Sequence, residues 1–383
     1  MLFKNIKGNA KVKKQLLCSV KNNRIGHAQI FSGNSGCAKL EIALAYARYI
    51  NCNKKLDKDS CGTCLSCIKY STLSHPDLHL IFPVLKTRSR KTAVSDDFVS
   101  LWRDLVLDNP YVSLNDWVEK INQEKNKGPQ GKIYKDEVVL IQKKTILKNF
   151  ESPYRVFLIW MPETMNIEGS NKLLKLLEEP PLGTVFLLVS EQPDQLLPTI
   201  LSRLQKTEVN NFNIEDICQF FQNKNIDREK IKHLCHLTDY NLGKMIHIIK
   251  EDFEGIDFLE YFAKWMRLIY KLDVKNIFIW VNSISEIGRK NQQLFLSYSI
   301  KIIRECIIFN FADKKLLKTN KKELDFIANF SQFIHEENSI PIVDKLEKSI
   351  KSIKRNANAK ILFFELSLQI SKELKIASSA VIK

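Results

Sequence analysis

The chain predicts an α/β domain followed by an all-helical region, and three observations carry that expectation. Strand-sized apolar runs, "HAQIF", "YRVFLIWM" and "TVFLLV", recur between helical periodicities as far as about residue 210. Such runs, interleaved with helices, are what strands buried on both faces of a parallel sheet look like. A glycine-bearing loop, "GNSGCAKL" (33–40), separates the first run from the apolar helix "LEIALAYARYI", which is the strand–loop–helix order of a phosphate-binding site. After about Asn210 no further strand pattern occurs and helical periods dominate.

Length and composition bound the rest. With 383 residues the chain holds two or three domains. Its 44% hydrophobic and 27% charged residues are ordinary for a globular protein that buries its own cores. The longest apolar runs fall far short of a membrane span, and "MLFKNIKGNAKVKK" has no apolar stretch before a cleavage site, so a cytoplasmic chain with no membrane partner is expected. A net charge of +16 has two readings. Lys4, Lys7, Lys11, Lys13, Lys14, Lys21, Arg24 and Lys39 all precede the first acid, Glu41, and together suit a polyanion. The general abundance of Lys, Ile and Asn allows compositional bias instead.

Taken in order, residues 1–50 read as helix, strand, glycine loop and helix, and a cysteine-rich loop follows at 52–67. Residues about 86–134 are polar and charged, with "TRSRKTAVSDD" and "NQEKNKGPQGK" as loops around a helix near Phe98–Leu107, and are expected to form a surface insertion. From 137 the alternation resumes: helix "EVVLIQKKTILKNF", strand "YRVFLIWM", helix "SNKLLKLLEEPP", strand "TVFLLVS", helix "QLLPTILSRLQ". In "LLKLLEEP", Leu173, Leu174 and Leu177 are placed to pack on the sheet, and Glu178 and Glu179 close the helix before Pro180. The domains expected are 1–209 (carrying the 52–67 module and the insertion), 210–252 with three short amphipathic helices, and 253–383 with long ones.

Cys52, Cys61, Cys64 and Cys67 are spaced C-x8-C-x2-C-x2-C. Each C-x2-C pair offers two thiolates from one tight turn, Gly62 lets the backbone fold round a metal, and four soft ligands suit structural Zn²⁺. A redox pair or loose thiols are the competing reading, and His75 and His79 stand close by as further donors. Four cysteines would close the coordination sphere and leave no position for a substrate. Cys18, Cys37, Cys218, Cys235 and Cys306 are scattered and read as core thiols.

In the glycine loop, Gly33, Gly36 and Lys39 survive, so backbone N–H groups and one ammonium could still meet a phosphate. Ala38 replaces the second glycine, and Leu40 has no oxygen for Mg²⁺. The strand that should end in a metal-holding carboxylate runs into Trp160 and Met161, with Glu163 beyond a proline. Hydrolysis of ATP is not expected, and binding of a nucleotide is left open.

At this point a resemblance emerges. "GHAQIFSGNSG", the four cysteines, "SHPDLHLIFPV" and "MNIEGSNKLLKLLEEPPLGTVFLLVSEQPDQLLPTILSRLQ" are similar to the delta-prime subunits of bacterial DNA polymerase III clamp loaders, over about residues 1–85 and 135–210. The segment 86–134 is longer than that family leads one to expect. The resemblance implies the AAA+ class: a RecA-like domain, a three-helix lid and a helical collar. It implies a non-hydrolysing subunit of a five-membered ring with gamma/tau motor subunits and delta, acting through the complex on the sliding clamp and primed DNA as part of a DNA-directed DNA polymerase. It also implies that a Ser-Arg-Cys motif, here Ser202, Arg203 and Leu204, presents its arginine in trans to a neighbour's γ-phosphate. The cysteine is lost and the charge is kept. Ser190 falls where AAA+ proteins keep a polar sensor. Two other readings stand beside this one: an ATP-hydrolysing motor subunit, opposed by Ala38, Leu40, Trp160 and Met161, and a zinc-containing nucleic-acid-binding module, which does not account for the helical half.

Overall fold

A computed structural model of the chain describes residues 1–86, 92–122, 131–222, 226–250, 257–313, 316, 317, 319, 321–354 and 357–376. Two compact units emerge, one formed by 1–228 with 240–247 and the other by 229–239 with 248–383.

The first unit runs α1 (Ala10–Lys21), β1 (Ala28–Ser32), α2 (Lys39–Ile50), α3 (Leu65–Ser71), β2 (Leu78–Ile81), α4 (Val99–Asp108), α5 (Leu114–Ile121), α6 (Lys135–Ile146), β3 (Arg155–Trp160), α7 (Ile167–Glu178), β4 (Thr184–Ser190), α8 (Pro198–Leu201), β5 (Gln205–Glu208) and α9 (Ile214–Phe221). The five strands form one parallel sheet in the order β2-β3-β4-β1-β5. β3 and β4 are buried along their whole length, as helices on both faces require. The three central strands are the ones the apolar runs identify, and neither edge strand was among them. β2 is only four residues long, and β5 reads "QKTE", with Thr207 alone buried, so neither carries the run that marks a doubly covered strand.

Helix α2 is buried on every side, which explains its near-continuous apolar sequence. Helix α7 starts where the Asn166 side chain accepts from Gly169 N–H at 3.1 Å. Leu173 and Leu177 lie in the sheet core with Leu174 partly buried against it.

The 86–134 segment departs from the expected surface insertion. Two helices form there, and Trp102, Val106, Tyr111 and Trp117 are buried. Trp102 stacks on Phe82 (centroids 5.2 Å apart) and meets Trp160 edge-on, while Trp117 Nε1 donates to Pro83 O at 2.7 Å. Helix α5, missing from the sequence reading, is closed by a capping box: Ser113 Oγ accepts from Asp116 N–H and Asp116 Oδ2 from Ser113 N–H. The parts of the expected loops at 87–91 and 123–130 lie outside the described residues.

The remaining helices are α10 (Arg228–Leu237), α11 (Leu242–Lys250), α12 (Phe258–Lys271), α13 (Val274–Glu286), α14 (Arg289–Phe311), α15 (Lys321–Phe330), α16 (Glu336–Lys354) and α17 (Ala359–Leu374). Of the three short helices after 210, α9 and most of α11 go with the first unit and most of α10 with the second. Among its described residues the second unit has helices and no strand, as its sequence pattern leads one to expect. Trp265 and Trp280 stack at its centre (5.0 Å), flanked by Phe295 and Phe363; Trp265 Nε1 donates to Ser367 Oγ at 2.8 Å, whereas the buried Trp280 Nε1 has no partner among the described residues. Among the described residues no helix is long and apolar enough to cross a membrane.

Candidate functional site

The four cysteines converge. Their sulfur atoms all lie within 4.8 Å of one another, with Cys52–Cys61 at 3.6 Å and Cys61–Cys67 at 3.9 Å. Sulfurs placed about 2.3 Å from a shared tetrahedral centre would be about 3.8 Å apart, so the arrangement fits a metal ion. Backbone N–H groups of Cys61, Cys64 and Cys67 point at the sulfurs of Cys52, Cys61 and Cys64 at 3.3–3.4 Å. Burial opposes ionisation of Cys61, but the N–H groups of Cys64 and Thr63 outweigh it and bring that thiol down to about 6, while burial pushes Cys52 up to about 12. A bound divalent ion would favour the thiolate form at Cys52 against its burial.

The module is tied to the sheet unit by buried and partly buried polar contacts. Asp59 accepts from the N–H groups of Phe3 and Lys4, Arg48 reaches the carbonyls of Met1 and Gly62, and Ser66 Oγ donates to Asn51 O. The two histidines have other duties: His75 Nδ1 accepts from Asp77 N–H and its Nε2 lies 3.0 Å from Ser152 Oγ, and His79 stacks on Phe157.

The glycine loop stands at the C-terminal end of β1, where a phosphate site belongs, but its groups are already engaged. Lys39 is buried, with Nζ donating to Asn34 O (2.9 Å) and pairing with Glu191 Oε1 (3.2 Å). The ammonium that would meet a phosphate is thereby neutralised from within the chain. A cavity of about 440 Å³ beside the loop is lined by Glu191 and Glu208 as well as Gly33 and Asn34, and two carboxylates disfavour an anion. Gly36 sits at φ 79°, and a Cβ there would come within 2.0 Å of Asn241 Oδ1, so the Asn241 side chain rests directly on the loop. Leu40 is core, and Trp160 and Met161 are buried. Glu163 holds no strand-end position: its Oε1 accepts from the N–H groups of Glu191 and Gln192, fixing the turn after β4. Ser190 is fully buried, and its Oγ has no hydrogen-bond partner among the described residues.

Tyr111, from the inserted segment, braces the same region. Its hydroxyl donates to Glu41 Oε2 at 2.5 Å, its ring packs edge-on against Phe212 and Phe220, and its carbonyl lies where any side chain at Gly243 would be. Burial raises the pKa of Glu41 and the Tyr111 hydrogen bond holds it down. Tyr111→Phe should therefore cost about 1–3 kcal/mol, the usual penalty for a buried polar group deprived of its partner. A raised folded-state pKa contributes stability below the unfolded carboxylate value and loses it as pH rises through the folded value. Removing the hydroxyl raises the folded value further, so the deficit should be larger near pH 8 than near pH 5. Urea midpoints of both proteins at the two pH values check this, and a pH-independent difference would contradict it.

Arg203 follows α8 at the surface. Its Nη1 donates to Thr199 O (2.7 Å) and lies 3.4 Å from Ser202 Oγ, while Nη2 pairs with Glu178 Oε1 at 2.5 Å. Ser202 Oγ itself donates to Thr199 O at 3.0 Å. The pair is open to solvent, with side-chain exposures of 36% and 45%. Arg203, the glycine loop and the cysteines are thus separate features of one unit. Sequence reasoning missed Glu191, Glu178 and Tyr111, since a carboxylate or phenol has no local signature of the distant cation or acid it will meet.

The family described as DNA polymerase III, delta subunit, matches residues 8–213, more than half of the chain. The chain belongs to this family. It is 25% identical over 258 residues to DNA polymerase III subunit delta' of Bacillus subtilis (67% of this chain, 63% of the relative). It is 29% identical over 177 residues to the subunit of the same name in Pseudomonas aeruginosa (46% and 41%). Against DNA polymerase III subunit gamma/tau of Mycobacterium tuberculosis it is 27% identical over 201 residues (52% and 27%). The chain spans less than two thirds of the length of each of these relatives. A parallel sheet with the glycine loop at a strand end, joined to a helical C-terminal part, is the architecture the family resemblance implies.

Proposed function

We propose that this chain is the delta' subunit of a bacterial DNA polymerase III clamp loader: a non-hydrolysing AAA+ subunit that gives Arg203, steadied by Ser202, to the ATP site of an adjacent gamma/tau motor subunit. The observation that carries this reading is the contrast between its two cationic groups. Lys39 is buried against Glu191 inside its own glycine loop, whereas Arg203 stands at the surface with donors to spare. A chain of this family that has neutralised its own phosphate-binding lysine is suited to serve a neighbour's site. A guanidinium stays protonated in any site and spreads charge over phosphoryl oxygens.

In this reading residues 1–209 form the RecA-like domain, 210–252 the lid and 253–383 the collar by which the chain joins gamma/tau and delta in a five-membered ring. The sliding clamp and primed DNA are reached through that complex. The four cysteines would hold one structural Zn²⁺, which on binding supplies a cross-link and no reaction centre. The motor-subunit alternative needs a free P-loop lysine and a Mg²⁺ hydroxyl, and Lys39 and Leu40 offer neither.

The test has two arms. The purified chain should turn over ATP no faster than buffer, with or without primed DNA. Mixed with gamma/tau and delta it should enter a stable complex that loads the clamp. Magnesium-dependent turnover that survives repurification, or failure to enter the complex, counts against the proposal.

A further inference from the structure

Arg203 is held by its own chain in a particular way. Nη1 is engaged by Thr199 O and Ser202 Oγ, and one proton of Nη2 by Glu178. Nε and the second proton of Nη2 have no partner among the described residues. A guanidinium has five donors in a rigid fork. The chain therefore occupies part of that fork and leaves two donors free.

Glu178 is an unusual choice for its position. It is the last residue of α7 and is followed by Glu179. A carboxylate at a helix C-terminus faces the negative end of the helix dipole and does not stabilise the helix. In the structure its carboxylate is paired with Arg203.

We propose that Glu178 is a positioning residue for the Arg203 finger, fixing the guanidinium plane so that the free donors meet a phosphate oxygen on the neighbouring subunit without a rotamer search. This rests on the reading of Arg203 in trans given above. A carboxylate that hid the finger would have to be displaced before the arginine could act; here the pair is solvent-exposed and leaves donors unspent, so it orients the arginine instead of sequestering it. Pre-orientation removes the entropy of ordering a long side chain when the phosphate arrives. An exposed ion pair supplies only a modest amount, so the expected effect is a two- to fivefold change, on the order of what such pairs contribute.

The experiment uses complete complexes rebuilt with the full chain carrying Glu178→Ala, Glu178→Gln, Arg203→Ala, or Glu178→Ala with Arg203→Ala, in which only the motor subunit beside this chain keeps an intact P-loop lysine. Glu178→Ala should lower kcat for ATP about two- to fivefold with KM unchanged. Glu178→Gln should recover part of the loss, because its amide oxygen still accepts from Nη2. With Arg203→Ala already present, Glu178→Ala should change nothing more. Unchanged melting temperatures of the isolated chains exclude a folding defect as the cause. A slow Arg203→Ala complex beside a Glu178→Ala complex of wild-type or higher kcat overturns the role of Glu178 alone, as does an equal loss in the Arg203→Ala background. A wild-type rate from Arg203→Ala itself removes the finger, and the positioning role with it.

Discussion

Arg203→Ala in a rebuilt clamp-loader complex should slow ATP hydrolysis at the adjacent motor subunit by roughly a thousandfold or more, the contribution typical of arginine fingers given in trans. The chain itself should fold normally. Arg203 is partly exposed and sits after a four-residue helix, and substitutions at such surface positions usually change stability by less than about 0.5 kcal/mol. Assembly should also persist, because the proposed collar lies in the helical C-terminal half, far along the chain from this side chain. Total ATPase of the ring should fall only in part, since other sites keep their own arginines, while clamp loading should suffer more. Arg203→Lys should not rescue the rate: an ammonium is a point charge without the planar fork that matches phosphoryl oxygens. DNA-stimulated ATPase and clamp loading measured side by side decide the matter. Wild-type values from the alanine complex would reduce Arg203 to a surface residue bonded to Glu178, Thr199 and Ser202.

The second large effect is expected at the cysteine module. Structural Zn²⁺ bound by four thiolates is worth on the order of 10 kcal/mol in apparent binding free energy. Cys64→Ser should release the metal and loosen residues 52–67. The substitution is clean because Cys64 is also the N-cap of α3, its side chain accepting from Cys67 N–H. Serine is a good N-cap, so the helix start survives while a thiolate ligand is lost. The consequences should be local first. Asp59 would let go of the Phe3 and Lys4 N–H groups, and Ser66 of the Asn51 carbonyl. The parallel sheet, whose central strands are buried independently of the module, should remain. Elemental analysis of protein prepared without chelator should give one zinc per wild-type chain and none in the variant, and a strong chelator should lower the wild-type melting temperature toward that of the variant. Absence of zinc from the wild-type chain would oppose the assignment.

Much of this protein is legible without coordinates, and the reason is locality. β3 and β4 announce themselves because a strand covered on both faces is apolar through its centre, here Val156–Trp160 and Val185–Val189, with polar residues only at its ends. The cysteine module is visible in its spacing because two ligands of a tight turn are close in sequence as well as in space. The absence of the usual Mg²⁺-binding groups is readable at Leu40, Trp160 and Met161, since those groups belong to fixed positions after a strand or a lysine. Edge strands escape the same logic. β5 is "QKTE" and pairs with β1 through backbone groups that leave no mark on side-chain pattern. In the inserted segment α4 falls on the expected helix near Phe98–Leu107, but α5 and the burial were missed, because Trp102 and Trp117 lie among charges in the sequence while their rings are buried beside Phe82.

By itself the sequence determined the layered sheet, the helical second half, the grouping of four cysteines at close spacing and the presence of an arginine after "LLPTILS". Only the tertiary structure decided that Lys39 is spent on Glu191, 152 residues away, that Tyr111 closes over Glu41 from 70 residues away, and that Arg203 is held by Glu178 with donors left over. The difference is physical. Periodicity and ligand spacing are properties of neighbouring residues, whereas the state of a charge depends on whichever opposite charge or dipole the fold brings within a few ångströms of it.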